Sequence, residues 1–219
     1  MDDVIAQFVA LLAETPLPPA GYNQYAAGNP ANHQRQANLR HYLRQMQARQ
    51  PTCLLVGEAA GYRGCRLSGI PFTSEQLLRE GIAAHGLFGP AGECQPTAEW
   101  PRLQREASAT IVWQVLAQVQ PLPLLWNAYP FHPHRPGNPQ SNRPPGRDEL
   151  ALGAPFIDRL LTLFPIRQVV AVGRHAAHSL ARLGITHQQI RHPAHGGKDA
   201  FASGIMRLCP GRGALDEPD

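Results

Sequence analysis

Three short apolar runs govern the architecture open to this chain: Cys53 to Val56, closed by Gly57; Leu122 to Trp126, closed by Asn127; and Gln168 to Val172, closed by Gly173. A short run without polar alternation predicts a strand buried on both faces, since a strand with one wet face would show a polar residue at every second position. Between the runs, apolar residues recur at helical spacing. That spacing predicts helices over Ser74 to Ile82, Leu103 to Val119, Asp148 to Phe164 and Arg174 to Leu183, with Pro155 interrupting the third. Strands alternating with helices imply a parallel sheet covered on both faces.

The flanks extend this pattern. Val4, Ile5, Phe8, Val9, Leu11 and Leu12 give Asp2 to Glu14 a helical face that stops at the Pro-rich stretch Thr15 to Ala20. Asn32 to Arg49 reads as a second helix, with Leu39, Tyr42, Leu43 and Met46 inward and Arg35, Arg40, Arg44 and Arg49 outward as a solvated face. Ile185 to Arg191 supplies a fourth strand and Lys198 to Leu208 a last helix, while residues 210–219 read as a flexible tail. The expected fold class is α/β: a single three-layer α/β/α domain over residues 1–209 around a central, mostly parallel four-stranded sheet. A chain of 219 residues, 43% of them hydrophobic, is long enough for one such core.

Composition narrows the function classes. No apolar run approaches the roughly 20 residues needed to span a bilayer, so a soluble protein without a membrane partner is expected. Cys53, Cys65, Cys94 and Cys209 are widely separated with no C-x-x-C pair, which suits reduced thiols in a cytoplasmic protein. Twenty Lys and Arg against 16 Asp and Glu give a net charge of +4, which permits a polyanionic partner without demanding one.

In an open α/β sheet, ligands bind beyond the carboxyl ends of the strands, so the loops after Val56, Trp126 and Ile190 should converge on one crevice. The first reads Gly57-Glu58-Ala59-Ala60-Gly61-Tyr62-Arg63-Gly64 and continues to Gly69-Ile70-Pro71-Phe72-Thr73. Its glycines allow close approach of backbone to ligand, and a Thr73/Gln76 capping box would hold Phe72 at the start of the next helix. In the second, Asn127 at the end of a buried strand faces the crevice or needs a local partner. Its amide donates and accepts side by side, matching the O4 and N3–H edge of uracil and opposing that of cytosine. The third, Arg191-His192-Pro193-Ala194-His195-Gly196-Gly197-Lys198, opens a helix whose Gly196 and Gly197 N–H groups are free to meet a phosphate.

In this order, the three loops resemble the signature of the uracil-DNA glycosylase superfamily over about Leu54 to Phe201. The first is similar to its GEAPG…G-x-PF motif, the second to its strand-end Asn, and the third to its HPS motif; Asn142-Arg143-Pro144 is similar to the GNR-x-P stretch of the iron-sulfur branch. The resemblance implies a uracil-DNA glycosylase-like fold and a monofunctional DNA base-excision repair hydrolase acting on uracil or a related deaminated base. It implies catalytic roles for Glu58, Asn127 and His192, and substrate contacts from Gly57, Ala59, Gly61, Tyr62, Phe72 and Asn127. DNA would meet Asn142, Arg143, His195, Gly196, Gly197 and Lys198, and the enzyme would act as a monomer. His192 would stand at uracil O2, Asn127 at O4 and N3, Phe72 stacked on the base, and Glu58 either orienting water or supporting the sugar cation.

The departures shape further expectations. The iron-sulfur cysteine pattern is missing, so no cofactor and no metal are expected. Ala59 stands where the best-known branch has a water-positioning Asp, Gly61 where it has a thymine-excluding Tyr, and Gly196 where it has a wedge Leu. Space beside the C5 position of the base follows from Gly61. Two other readings compete: an inactive nucleic-acid-binding member of the same fold, and a metal-dependent hydrolase built on His132 and His134 with His192 or His195.

Overall fold

The computed structural model describes residues 3–90 and 92–209. The expected tail, 210–219, lies outside the described residues. In chain order the elements are α1 (Val4–Glu14), β1 (Gly21–Tyr22), α2 (Pro30–Arg49), β2 (Cys53–Ala59), α3 (Cys65–Ser68), α4 (Glu75–Glu80), α5 (Ala107–Leu116), β3 (Leu124–Tyr129), β4 (His132–Pro133), α6 (Arg147–Leu163), β5 (Gln168–Val172), α7 (Arg174–Arg182), β6 (Gln188–Ile190) and α8 (Lys198–Leu208). The central sheet is four-stranded and wholly parallel, in the order β3-β2-β5-β6.

Leu54, Leu55, Val56, Leu124, Leu125, Trp126, Val170 and Ala171 are all fully buried, as strands covered on both faces must be. On one side Phe8 of α1 meets Trp126 of β3 and Phe156 of α6 edge to face, with ring centroids 5.4 and 5.7 Å apart. Where α6 crosses the sheet, Gly153 sits so close that an added Cβ would lie 2.1 Å from the Ala128 carbonyl. Near the end of α8, the thiol of Cys209 donates to that of Cys53 at the start of β2, at 3.2 Å.

Several expectations need correction. β3 begins at Leu124, after Pro123, which has no N–H for the ladder, and it runs on to Tyr129. β2 likewise runs to Ala59, so Gly57, Glu58 and Asn127 are strand residues rather than loop residues, with Gly57 directly opposite Asn127 in register. Pro155 does not interrupt α6. It lies on the helix's exposed face, where the Ala151 carbonyl that it leaves unbonded faces solvent. α5 starts at Ala107 rather than Leu103, which leaves Glu106 as its N-cap with extended backbone.

Arg35 is the largest reversal. It is fully buried, donating from Nε to the Leu67 carbonyl at 3.1 Å and from a guanidinium nitrogen to Asn32 Oδ1 at 2.5 Å, and pairing with Glu99. Burial of a charge is tolerable when it is paired and hydrogen-bonded, a condition helical periodicity alone does not reveal. A further two-stranded sheet, β1 with β4, pairs Gly21 with Pro133 and Tyr22 with His132.

Candidate active site

The carboxyl ends of the parallel strands open into a cavity of about 440 Å³. β2 contributes Gly57, Glu58 and Ala59; β3 contributes Asn127; the first turn of α7 contributes His175 and the turn after β6 contributes His192. The sheet explains the convergence. β3 lies on one side of β2 and β5 on the other, so the connections leaving these strands part and leave a crevice between them.

Asn127 is 4% exposed and its side chain bears on Gly57, where an added Cβ would lie 2.6 Å from Asn127 Oδ1 and 2.7 Å from Phe72 Cζ. Gly57 is therefore a matter of room: any side chain there would part the amide from the aromatic ring. Phe72 has φ +52°, rare for a bulky residue and found where surrounding structure overrules local preference. The expected Thr73/Gln76 capping box is not what holds it. The Thr73 hydroxyl donates to the Pro71 carbonyl and accepts from Trp113 Nε1, and Ser74 takes the N-cap without a side-chain bond. Phe72 is held from beneath instead. Ser68 Oγ donates to Thr73 O at 2.6 Å, Asn38 to Ser68 O at 2.8 Å, and Tyr25 to Gly69 O at 2.9 Å.

His192 has a defined tautomer. Its Nδ1 accepts the Ala194 N–H at 3.1 Å, so the proton of the neutral ring sits on Nε2. Burial, with Arg191, His195 and His175 nearby, holds its pKa below that of a free imidazole. At neutral pH it is a neutral hydrogen-bond donor. Glu58 is half-buried and burial raises its carboxyl, an effect opposed by His175, whose Nδ1 lies 3.8 Å away.

The other predicted residues divide. Ala59, Gly61, Asn142, Arg143 and His195 line the cavity; Tyr62, Gly196, Gly197 and Lys198 do not. Tyr62 turns outward against Trp100 and Arg63, and only its backbone N–H reaches inward, donating to Asn142 Oδ1 at 3.0 Å. The Gly197 N–H is not free for a phosphate, because it donates to Ala194 O at 3.1 Å. Arg143 grips Glu149 with two 2.7 Å bonds and also donates to the His134 and Ala20 carbonyls, so most of its fork is spent inside the protein.

Glu106, His175, Arg174, Arg191 and Ser108 line the same cavity without having been singled out. Glu106 fills the space over Gly61 and Gly64, where an added Cβ would lie 2.5 and 2.2 Å from its carboxylate oxygens. The open volume expected beside Gly61 thus holds a carboxylate. Burial pushes this carboxyl up to about 7. The one available signal was an acidic residue immediately ahead of an apolar helical stretch.

The histidine pair of the metal-hydrolase reading is engaged elsewhere. His132 Nδ1 lies 2.8 Å from Ala60 O and Nε2 3.0 Å from Pro139 O, leaving neither nitrogen open to a metal. Among the described residues, no group of three or more His, Cys, Asp or Glu is placed to hold a metal ion.

The family model described as the uracil DNA glycosylase superfamily matches residues 43–207, which span the sheet and all three cavity loops. The chain belongs to this superfamily. Its fold is similar to that of the crystal structure of wild-type SMUG2 from Pedobacter heparinus, with 14% identity, 93% of this chain and 95% of that chain covered, and a TM-score of 0.60. No curated protein matches the sequence. Phe72, Asn127 and His192 all occupy the wall of the cavity.

Proposed function

We propose that this protein is a monofunctional DNA glycosylase that hydrolyses the N-glycosidic bond of uracil, or a related deaminated base, in DNA. The observation that carries this reading is the seating of the Asn127 amide and the Phe72 ring together on Gly57, in a cavity that also receives His192. A base inside a duplex cannot reach such a pocket, so the nucleotide must be flipped out, at a cost of a few kcal/mol that is smallest at a mismatch. Phe72 stacks on the extruded ring, while Asn127 reads O4 and N3–H and rejects the reversed pattern of cytosine.

Cleavage leaves positive charge on the sugar and negative charge on the base. Preorganised donors act where that charge develops. His192, neutral with its proton on Nε2, donates to O2, and a neutral donor avoids an early salt bridge to the ground-state base. Glu58, beside His175, supports the sugar cation. Exposed Arg174 and Arg191 at the cavity attract the phosphate backbone.

The test is base release from single- and double-stranded oligonucleotides carrying uracil, hypoxanthine or thymine opposite guanine, read as alkali-labile breaks. Release of uracil without release of cytosine is expected. Tight binding of uracil-containing strands with no release would instead mark a non-catalytic binding protein.

A further inference from the structure

We propose that Glu106 is the general base of the reaction, taking a proton from the water that attacks C1′ of the extruded nucleotide. This inference rests on the glycosylase reading above. Hydrolysis needs a water made nucleophilic beside the sugar, and two carboxylates line the cavity among the described residues, Glu58 and Glu106. They are not equivalent. Glu58 has a histidine beside it, 3.8 Å away, whereas the Glu106 side chain makes no salt bridge or hydrogen bond with a described residue.

The chain makes room for this side chain. Gly61 has no positive φ and so does not need to be glycine for left-handed backbone, whereas Gly64, at φ −112° and ψ −112°, also lies outside the regions that L-residues favour. A Cβ on either would collide with the carboxylate oxygens, which shows that the loop under the base pocket is shaped around Glu106. Its placement follows from the N-cap position at the head of α5, where extended backbone turns the side chain away from the helix and into the cavity. Glu106 is only partly buried, and its carboxylate oxygens, which accept no hydrogen bond from a described residue, lie open to the cavity, where a water can reach them. A base awaiting a water is left open. Burial also brings its carboxyl up to about 7, where it is substantially ionised at neutral pH yet basic enough to accept a proton.

The step balances. The water oxygen bonds to C1′ as one of its protons passes to a Glu106 oxygen, and the C1′–N1 pair leaves with the base, whose negative charge His192 meets at O2. The products are an abasic hydroxyl, the base as its anion and a protonated Glu106, which returns its proton to solvent.

Single-turnover uracil release would be measured from about pH 5.5 to 8.5 for wild type, Glu106→Gln, Glu106→Asp and Glu58→Gln. Wild-type rate should rise through about pH 7. Glu106→Gln should lower the rate on the order of 10²-fold or more and abolish that rise. Glu106→Asp, which keeps the carboxylate, should recover part of both, and Glu58→Gln should be slower yet keep the rise. Affinity of Glu106→Gln for the uracil strand, read by fluorescence anisotropy, should stay within a few fold of wild type and so exclude a folding defect. A Glu106→Gln variant that keeps the pH rise, or a Glu58→Gln variant that loses it, overturns the inference while leaving the glycosylase reading intact. A wild-type protein that releases no base overturns both.

Discussion

In the proposed reaction Asn127 and His192 would serve charge that exists only while the glycosidic bond is breaking, so their removal should appear in rate rather than in binding. Asn127→Ala should reduce single-turnover uracil release on the order of 10²-fold or more. His192→Ala should slow the same step far more than it weakens affinity for the uracil strand, and equal losses would make it a positioning residue. Glu106 makes a different statement, about stability. Its folded-state pKa, about 7, lies above the ordinary 4.5, so the folded protein holds this proton where the unfolded chain releases it. Stability linked to the group is therefore fully present below pH 4.5 and lost as pH rises through 7. Glu106→Gln, always neutral, should exceed wild type by on the order of 2–3 kcal/mol at about pH 8, a gap that closes toward about pH 5, as read by urea denaturation. A catalytic carboxylate kept at the expense of stability would show this signature, whereas a structural one would show the opposite sign.

Elements place these residues by close backbone approach. α6 lies on β3 at Gly153, beside the strand segment that presents Asn127. Gly153→Ala should push helix and strand apart, costing on the order of 1–3 kcal/mol and lowering uracil release as well, because Ala128 is next to Asn127 in β3. Pro155, two residues on but facing solvent, is the contrasting site. Pro155→Ala restores the N–H that α6 lacks and should raise the urea midpoint by the equivalent of about 1–3 kcal/mol. If both variants moved stability in the same direction, the packing of α6 would not be what sets β3.

Across the molecule, the strand order gathers loops distant in sequence at one end of the sheet, and with them the cationic side chains of Arg174 and Arg191. The overall charge of +4 is small, so attraction for DNA depends on where the charge sits. Replacing both arginines with Ala should weaken oligonucleotide binding with little regard to base sequence. The slope of log affinity against log salt should fall by about 2 for duplex DNA, measured by titration at several salt concentrations. An unchanged slope would place the phosphate contacts elsewhere.

Burial on both faces writes itself into consecutive residues, so β2 and β5 were legible as apolar runs, and α8 was legible from Lys198 to Leu208. So were the crevice and the entry of Gly57, Asn127, Phe72 and His192 into it, because strand ends in a parallel sheet share one side. Glu106 and His175 were not legible: each reaches the cavity from a helix start, and its aim depends on how α5 and α7 dock. Arg35 looked solvent-facing because helical spacing counts residues, not partners, and its burial depends on Glu99, 64 positions away. Local pattern records where apolar residues recur along the chain. Which distant group a residue meets is set by the packing of whole elements, where a carboxylate from one helix comes to rest on two glycines of a loop far from it in sequence.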